Sequence, residues 1–228
     1  MLSVVIPAYN EEKSLGAVLK ELNTELKSAK IIVVDDGSKD KTYEIAKKYK
    51  TIVCRHVINR GLGATLATGI ECALKEGADI IVTFDADLQH EAKDILRLIE
   101  PIKKEKADAV IGSRFLLKEH IELMPYIKRF GNWVLTWITN VLAGSNITDS
   151  QSGLRAFDRK AAKRLMILCD RYEVSSEIVH ELRRHKLKVV EVPIKAIYDE
   201  RSKVKGTTVK SGFQIFWGLL LKQWGIKK

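Results

Sequence analysis

The stretch IVTFDADLQH, residues 81–90, joins an apolar run to two carboxylates and an amide, Asp85, Asp87 and Gln89. With Ile80 in front of it, the run reads as a short strand buried on both faces, as in a parallel sheet. Open sheets of that class bind ligands beyond the carboxyl ends of their strands. Side chains of an extended segment repeat every second residue, so Asp85 and Asp87 share a side. Gln89 adds a third oxygen on that side if the extension continues.

Working outward, similar β-branched runs occur at 2–6, 31–34, 51–53 and 109–111. Helical patterns fill about 12–28, 40–49, 62–76 and 91–105, giving βαβ units and a mainly parallel sheet flanked by helices, an α/β fold. The second half carries helical patterns at 126–143, 159–167 and 175–185, then an apolar strand at 188–198. A polar segment follows at 199–209, and an amphipathic helix is expected over about 210–225. The division expected is one domain over 1–208 and a basic amphipathic extension over 209–228.

Each of the first five strands ends in polar or glycine-rich sequence: PAYNE, DDGS, NRGLG, DADLQ and GSR. Two carboxylates and an amide are hard oxygen ligands suited to Mg²⁺ or Mn²⁺, with a substrate diphosphate completing the shell. The competing reading of Asp85 and Asp87 is a solvated acidic turn capping the helix that follows. Asp36 offers acceptors for a nucleobase or ribose, with Asp35 partly structural. Tyr9 offers a stacking ring, and Glu11 is either an acceptor or a first-turn acid favoured by the helix dipole. His90 reads as a first-turn polar residue and Glu177 as a helix-surface acid. There is no G-x-x-x-x-G-K-[ST], and GLGATLATG does not fit G-x-G-x-x-G, which disfavours a P-loop kinase or a dehydrogenase.

VVIPAYNE, VVDDGSKDKT, DADLQH, GSRF and DSQSGLRAF together resemble the family 2 inverting glycosyltransferases of the GT-A nucleotide-sugar-binding fold. The series is similar in particular to dolichyl-phosphate mannose synthase and the polyprenyl-phosphate sugar synthases, over roughly residues 2–207. The resemblance implies that Pro7, Tyr9, Glu11, Val34 and Asp36 hold the nucleoside. It sets Asp85, Ala86 and Asp87 beside ribose and diphosphate, and Asp85, Asp87 and Gln89 as the metal set for Mg²⁺ or Mn²⁺. It implies transfer of a hexose (mannose, glucose or N-acetylhexosamine) from a GDP- or UDP-sugar to dolichyl or polyprenyl phosphate with inversion. Relatives carry an R-x-x-G-x-S-K-like segment near the end; here Ser202 and Lys203 match while the arginine spacing of Arg201 differs.

A phosphate acceptor is mostly ionised at neutral pH, its second pKa being about 6, so it needs cations more than a base. Arg114, Arg129, Arg201 and Lys203 are the candidates for holding it, the last two on a segment able to close as a lid. Asp87, Arg114 and Asp149 are the expected catalytic set, and the resemblance implies that Asp149, Ser152, Gly153 and Arg155 lie in a loop beside the sugar and the acceptor. The alternative acceptor is a hydroxyl of a glycan or protein, which needs a carboxylate base.

Lys and Arg number 39 against 29 acids, a net charge of +10, and no acid follows Glu200. That basic end suits a polyanion. A nucleic-acid-binding module is the less favoured reading, because no aromatic platform accompanies the basic residues; no nucleic-acid partner is expected. GFQIFWGLLL, 212–221, falls well short of the roughly 20 residues that span a bilayer, and its aromatics flanked by lysines suit an anionic membrane surface. The helix at 126–143, with Trp133 and Trp137, either shares that contact or packs on the domain. Three cysteines without a paired motif fit a reducing compartment. Together these features lead to the expectation of a cytoplasmic protein peripherally attached to the cytoplasmic face of a membrane.

Overall fold

The computed structural model describes residues 1–122, 124–170, 173–195 and 197. Seven strands form one sheet: β1 (Leu2–Ala8), β2 (Lys30–Asp35), β3 (Ile52–Arg55), β4 (Ile80–Thr83), β5 (Ala109–Ser113), β6 (Arg155–Asp158) and β7 (Val189–Pro193). Their order across the sheet is β3-β2-β1-β4-β6-β5-β7, and only β6 runs antiparallel to its neighbours. The helices are α1 (Leu15–Glu25), α2 (Thr42–Lys48), α3 (Leu62–Lys75), α4 (Asp94–Lys103), α5 (Lys118–Glu122), α6 (Tyr126–Ala143), α7 (Arg159–Arg164) and α8 (Val174–Arg184).

The strand runs are apolar on both sides because both sides are covered. Val4, Ile6 and Ala8 of β1 pack with Leu15, Leu19 and Leu22 of α1 and Ile95, Leu98 and Ile99 of α4. Val5, between them in sequence, points to the other layer, with Leu66, Ile70 and Ala73 of α3 and Ile178 of α8. The period of two thus distributes one strand between two cores.

The expected helices and parallel strands are present, with α1, α2 and α4 a few residues shorter than their patterns. Two elements differ. Strand β6 has only four residues and carries a buried arginine, Arg155, so it lacks the apolar signature of its neighbours. Helix α4 begins at Asp94 rather than near Glu91, which leaves His90 outside it. The strand expected over 188–198 ends at Pro193, while the expected terminal helix at 209–228, Arg201 and Lys203 lie outside the described residues. Among those described, no helix is long and apolar enough to cross a membrane.

Candidate functional site

The chain runs from β1 outward through β2 to β3, then returns to lay β4 on the other side of β1. The connections therefore diverge between β1 and β4, and a crevice opens beyond their carboxyl ends. Antiparallel β6 starts at this same edge, Arg155 lying opposite Thr83 of β4 and Ile111 of β5. That reversal carries the loop 148–154 into the crevice. Thr83 Oγ1 fastens it by donating to the Gly153 carbonyl at 2.7 Å.

Beyond β4 the extension does not continue. Leu88 adopts φ +65°, a left-handed conformation that costs a branched L-residue roughly 1–2 kcal/mol. The turn folds Gln89 back onto Asp87: its backbone N–H donates to Asp87 Oδ1 at 3.0 Å and its Nε2 to Oδ2 at 2.7 Å. The amide thus reaches the carboxylates by a turn, not by alternation along a strand. His90 is buried edge-on to Phe84, with Nε2 3.4 Å from Asp85 Oδ2, and is no surface residue of a first helical turn.

The two carboxylates are driven apart in acidity. Burial would raise the Asp85 carboxyl, but His90, Arg155 and Arg114 outweigh it and hold the group below its usual range. Asp87 is pushed up to about 6, first by burial and then by the charge of Asp85. The charge of Glu11 adds to the same rise. Asp87, whose ionisation burial and the Asp85 charge both disfavour, would be relieved by a cation placed between the two carboxylates. Among the described residues no third His, Cys, Asp or Glu completes a metal cage. A donor set of two carboxylates and an amide oxygen, open on one side, fits Mg²⁺ or Mn²⁺ shared with a diphosphate.

Around the carboxyl ends of β1 and β2, Tyr9 is exposed and Val34 is fully buried within β2. Pro7 is half-buried and pairs with Val34 across the ladder. Glu11 Oε2 accepts from Ser14 Oγ at 2.7 Å. Asp36 is buried and uses both oxygens within the chain. Its Oδ1 meets His56 Nδ1 at 2.6 Å and the Arg60 N–H at 3.0 Å, and Oδ2 accepts from the Gly61 N–H at 2.7 Å. Asp35 takes the Ser38 N–H at 3.2 Å and pairs with Arg55 Nε at 2.9 Å. Gly37 between these acids and Ser38 has φ +70°, and a Cβ there would stand 2.7 Å from the Ile58 carbonyl carbon. The DDGS sequence therefore clamps the 57–61 loop to the end of β2.

The cationic wall faces these acids. Arg114 grips Asp149 as a fork, Nε to Oδ2 at 2.7 Å and Nη2 to Oδ1 at 2.8 Å, and its backbone N–H adds a bond to Oδ2 at 3.1 Å. Asp149 is fully buried. Arg155 is also buried; Nη2 donates to the Ser150 carbonyl at 2.9 Å. Burial pushes its guanidinium down to about 10, against the pull of Asp85 and Asp149. Lys128 of α6 was not singled out by the sequence. Burial lowers its ammonium, and the charges of Asp87 and Arg114 both reach it. Arg129, the next residue, is exposed on α6. Glu177 faces inward, accepting the Leu168 and Cys169 N–H groups at 3.1 and 2.9 Å.

Residues 3–166, more than half of the chain, match the model of glycosyl transferase family 2. The chain belongs to this family. Among similar family 2 proteins, one of Methanocaldococcus jannaschii, named only as uncharacterized, is 51% identical over 222 residues, covering 96% of this chain and 91% of that one. The UDP-N-acetylglucosamine–dolichyl-phosphate N-acetylglucosaminyltransferase of Methanococcus voltae is 42% identical over 244 residues, covering 99% of this chain and 97% of that protein. The fold is that of the crystal structure of glucosyl-3-phosphoglycerate synthase from Mycobacterium tuberculosis in complex with Mn²⁺, uridine diphosphate and phosphoglyceric acid. That match has a TM-score of 0.73 at 19% identity and covers 100% of this chain and 80% of the other. The GT-A architecture expected from the motifs is the one observed.

Proposed function

We propose that this family 2 enzyme transfers a hexose from a nucleotide diphosphate sugar to dolichyl or another polyprenyl phosphate, inverting the anomeric centre. The observation that carries the acceptor class is the state of Asp149. A hydroxyl acceptor requires a nearby carboxylate to take its proton. The acid of the DSQSGLR loop has both oxygens on Arg114 and is unsuited to that task. A phosphate acceptor arrives already ionised, and Arg114, Arg155 and Lys128 supply the positive potential that receives it. The relative from Methanococcus voltae, similar from end to end, supports the same acceptor class and makes UDP-N-acetylglucosamine the first donor to test.

Asp85 and Asp87, with the Gln89 amide oxygen, would hold Mg²⁺ or Mn²⁺; such an ion, when bound, neutralises charge on the donor diphosphate. The chain's own residues do the rest. Tyr9 and Glu11 border the nucleoside, while the clamp made by Asp35 and Asp36 keeps the 57–61 loop in place beside it. Arg114, fixed by Asp149, and Lys128 orient the acceptor phosphate toward the sugar. One acceptor oxygen forms the new bond to the anomeric carbon. The bond from that carbon to the donor diphosphate breaks, and the nucleoside diphosphate leaves with the electron pair. Orientation supplies much of the acceleration. Attachment is peripheral, at the cytoplasmic face of a membrane, a reading supported by the lipid acceptor.

The test uses radiolabelled UDP-N-acetylglucosamine, UDP-glucose and GDP-mannose with Mg²⁺ or Mn²⁺, offering polyprenyl phosphate in one arm and the matching polyprenol in the other. Label is expected in the organic phase only with the phosphate. Equal transfer to polyprenol would overturn the reading.

A further inference from the structure

Helix α6 is amphipathic in reverse. The residues it turns toward the protein are Leu135, Thr136 and Thr139, two of them hydroxyl side chains. Thr136 Oγ1 bonds the Ser150 hydroxyl at 3.1 Å, and Thr139 Oγ1 bonds that of Ser176 at 2.7 Å. The residues it turns to solvent are Tyr126 (74% exposed), Phe130 (55%), Trp133 (59%), Trp137 (59%) and Val141 (62%). Their spacing of four, three, four and four places them on one stripe of the helix. Ile127, 81% exposed, widens it. A run of large apolar side chains of this extent is not left in water without a function.

We propose that this stripe docks the enzyme onto the interfacial zone of an anionic lipid bilayer. The inference rests on the reading of the acceptor as a membrane lipid phosphate, and it names the surface that brings the site to it. Three observations select a bilayer as the occupant. The composition is aromatic, with two tryptophans and a tyrosine whose amphipathic rings suit the headgroup boundary. Residues 126–143 contain no Asp or Glu, while Arg129 is exposed between Tyr126 and Phe130 in a chain of net charge +10. That balance complements anionic headgroups. The stripe is also joined to the site. Lys128, on the same helix, feels Asp87 and Arg114, and the Thr136–Ser150 bond ties the helix to the residue after Asp149. At 18 residues the helix is about 27 Å long, long enough to lie along the interface, and it does not qualify as a span.

The experiment is flotation of the full-length protein with vesicles of phosphatidylcholine alone, or of phosphatidylcholine with phosphatidylglycerol, and no polyprenyl phosphate in either. The wild type is expected to float with the anionic vesicles. The double variant Trp133→Glu/Trp137→Glu is expected to lose at least tenfold in partition while keeping its melting temperature, because neither ring is buried. In transfer assays it should lose at least tenfold with vesicle-embedded acceptor and stay within twofold of wild type with a short-chain, water-soluble prenyl phosphate. Wild-type partition by the double variant would overturn the proposal. So would a wild type that ignores vesicles but self-associates through this face, with the variant monomeric, since the occupant would then be a second copy. If the acceptor reading fails instead, neither prenyl phosphate accepts label, and the flotation result still judges the docking surface by itself.

Discussion

Gly153 and Asp85 lie so close that a Cβ on Gly153 would stand 2.0 Å from Asp85 Oδ2. No side chain fits there unless the carboxylate moves. Because the obstacle is the end of one short side chain rather than backbone, the fold can yield while the site does not. Gly153→Ala is therefore expected to cost stability at the low end of the roughly 1–3 kcal/mol of overpacking. Transfer should fall about a hundredfold, the penalty of moving a reacting group by an ångström. Thermal melts alongside transfer kinetics and Mn²⁺ titration test this; near-normal Mn²⁺ affinity would show that Asp85 is not where the cation binds.

Asp87 carries a conflict between stability and function. Its carboxyl titrates from 3.8 in the open chain to about 6 in the fold, through burial first and Asp85 second. The folded state then binds the proton more tightly, so this group's contribution to stability falls as pH rises from about 4 to about 6 and stays low above that. Asp87→Asn removes the penalty. At pH 7 without metal the variant is expected to melt roughly 2–6 °C higher than wild type and to have lost transfer. In the wild type, the apparent Kd for Mn²⁺ should be flat above pH 6 and rise as pH drops below it, the proton competing for the same oxygens. A Kd independent of pH between 5 and 7 would argue against Asp87 as a ligand.

What the sequence made legible was what depends on local pattern. β1, β2, β4 and β5 are covered on both sides, so their apolar runs stand out, and the acids at their ends mark the binding edge. β6 was invisible because Arg155 interrupts four residues with a charge set against Asp149, six positions earlier, and Asp85, 70 positions away. The turn at Leu88 was invisible for another reason: nothing in a leucine signals φ +65°, and the period-two rule failed from Asp85 onward. Asp36 and Asp149 stood out as acids in the sequence, but their partners, Gly61 and Arg114, lie 25 and 35 positions away and could not be read from it. Adjacent residues of α6 diverge by about 100° around the axis. Because that helix is apolar on its outer face too, its phase could not be set from sequence, and the partial burial of Lys128 beside exposed Arg129 was not readable there.

On the proposed reading, the Arg114–Asp149 fork makes Asp149 a positioning residue. Asp149→Asn removes the carboxylate that grips the largely buried Arg114 guanidinium. Breaking such a pair costs about 3 kcal/mol or more, read as a fall in melting temperature of roughly 6–12 °C. The double variant Arg114→Met/Asp149→Leu should recover much of that stability without recovering transfer. The pH–rate profile separates positioning from base catalysis. If Asp149 only holds Arg114, Asp149→Asn lowers the rate at every pH and keeps the acidic limb, which belongs to the Asp87 site. Loss of that limb in Asp149→Asn would assign Asp149 as the base and reopen the hydroxyl acceptor.

Lys128 and Arg129 give the most discriminating comparison, since they are neighbours with the same charge and opposite outlooks. Lys128 sits where the charges of Asp87 and Arg114 both act on it, and its partial burial lowers its ammonium, a cost that a further anion beside it would reduce. An arriving phosphate relieves that cost, so the interaction strengthens as the acceptor binds. Lys128→Ala is expected to raise the acceptor KM at least tenfold, with Lys128→Arg recovering most of it, because the requirement is for a cation in that place. Arg129 is exposed, where a single charge contributes at most about 1 kcal/mol. Arg129→Ala should change the KM for a short-chain soluble acceptor less than threefold. The reverse ranking, measured with that same acceptor, would assign the phosphate to the outer face of α6 and require the crevice to be entered from the opposite side.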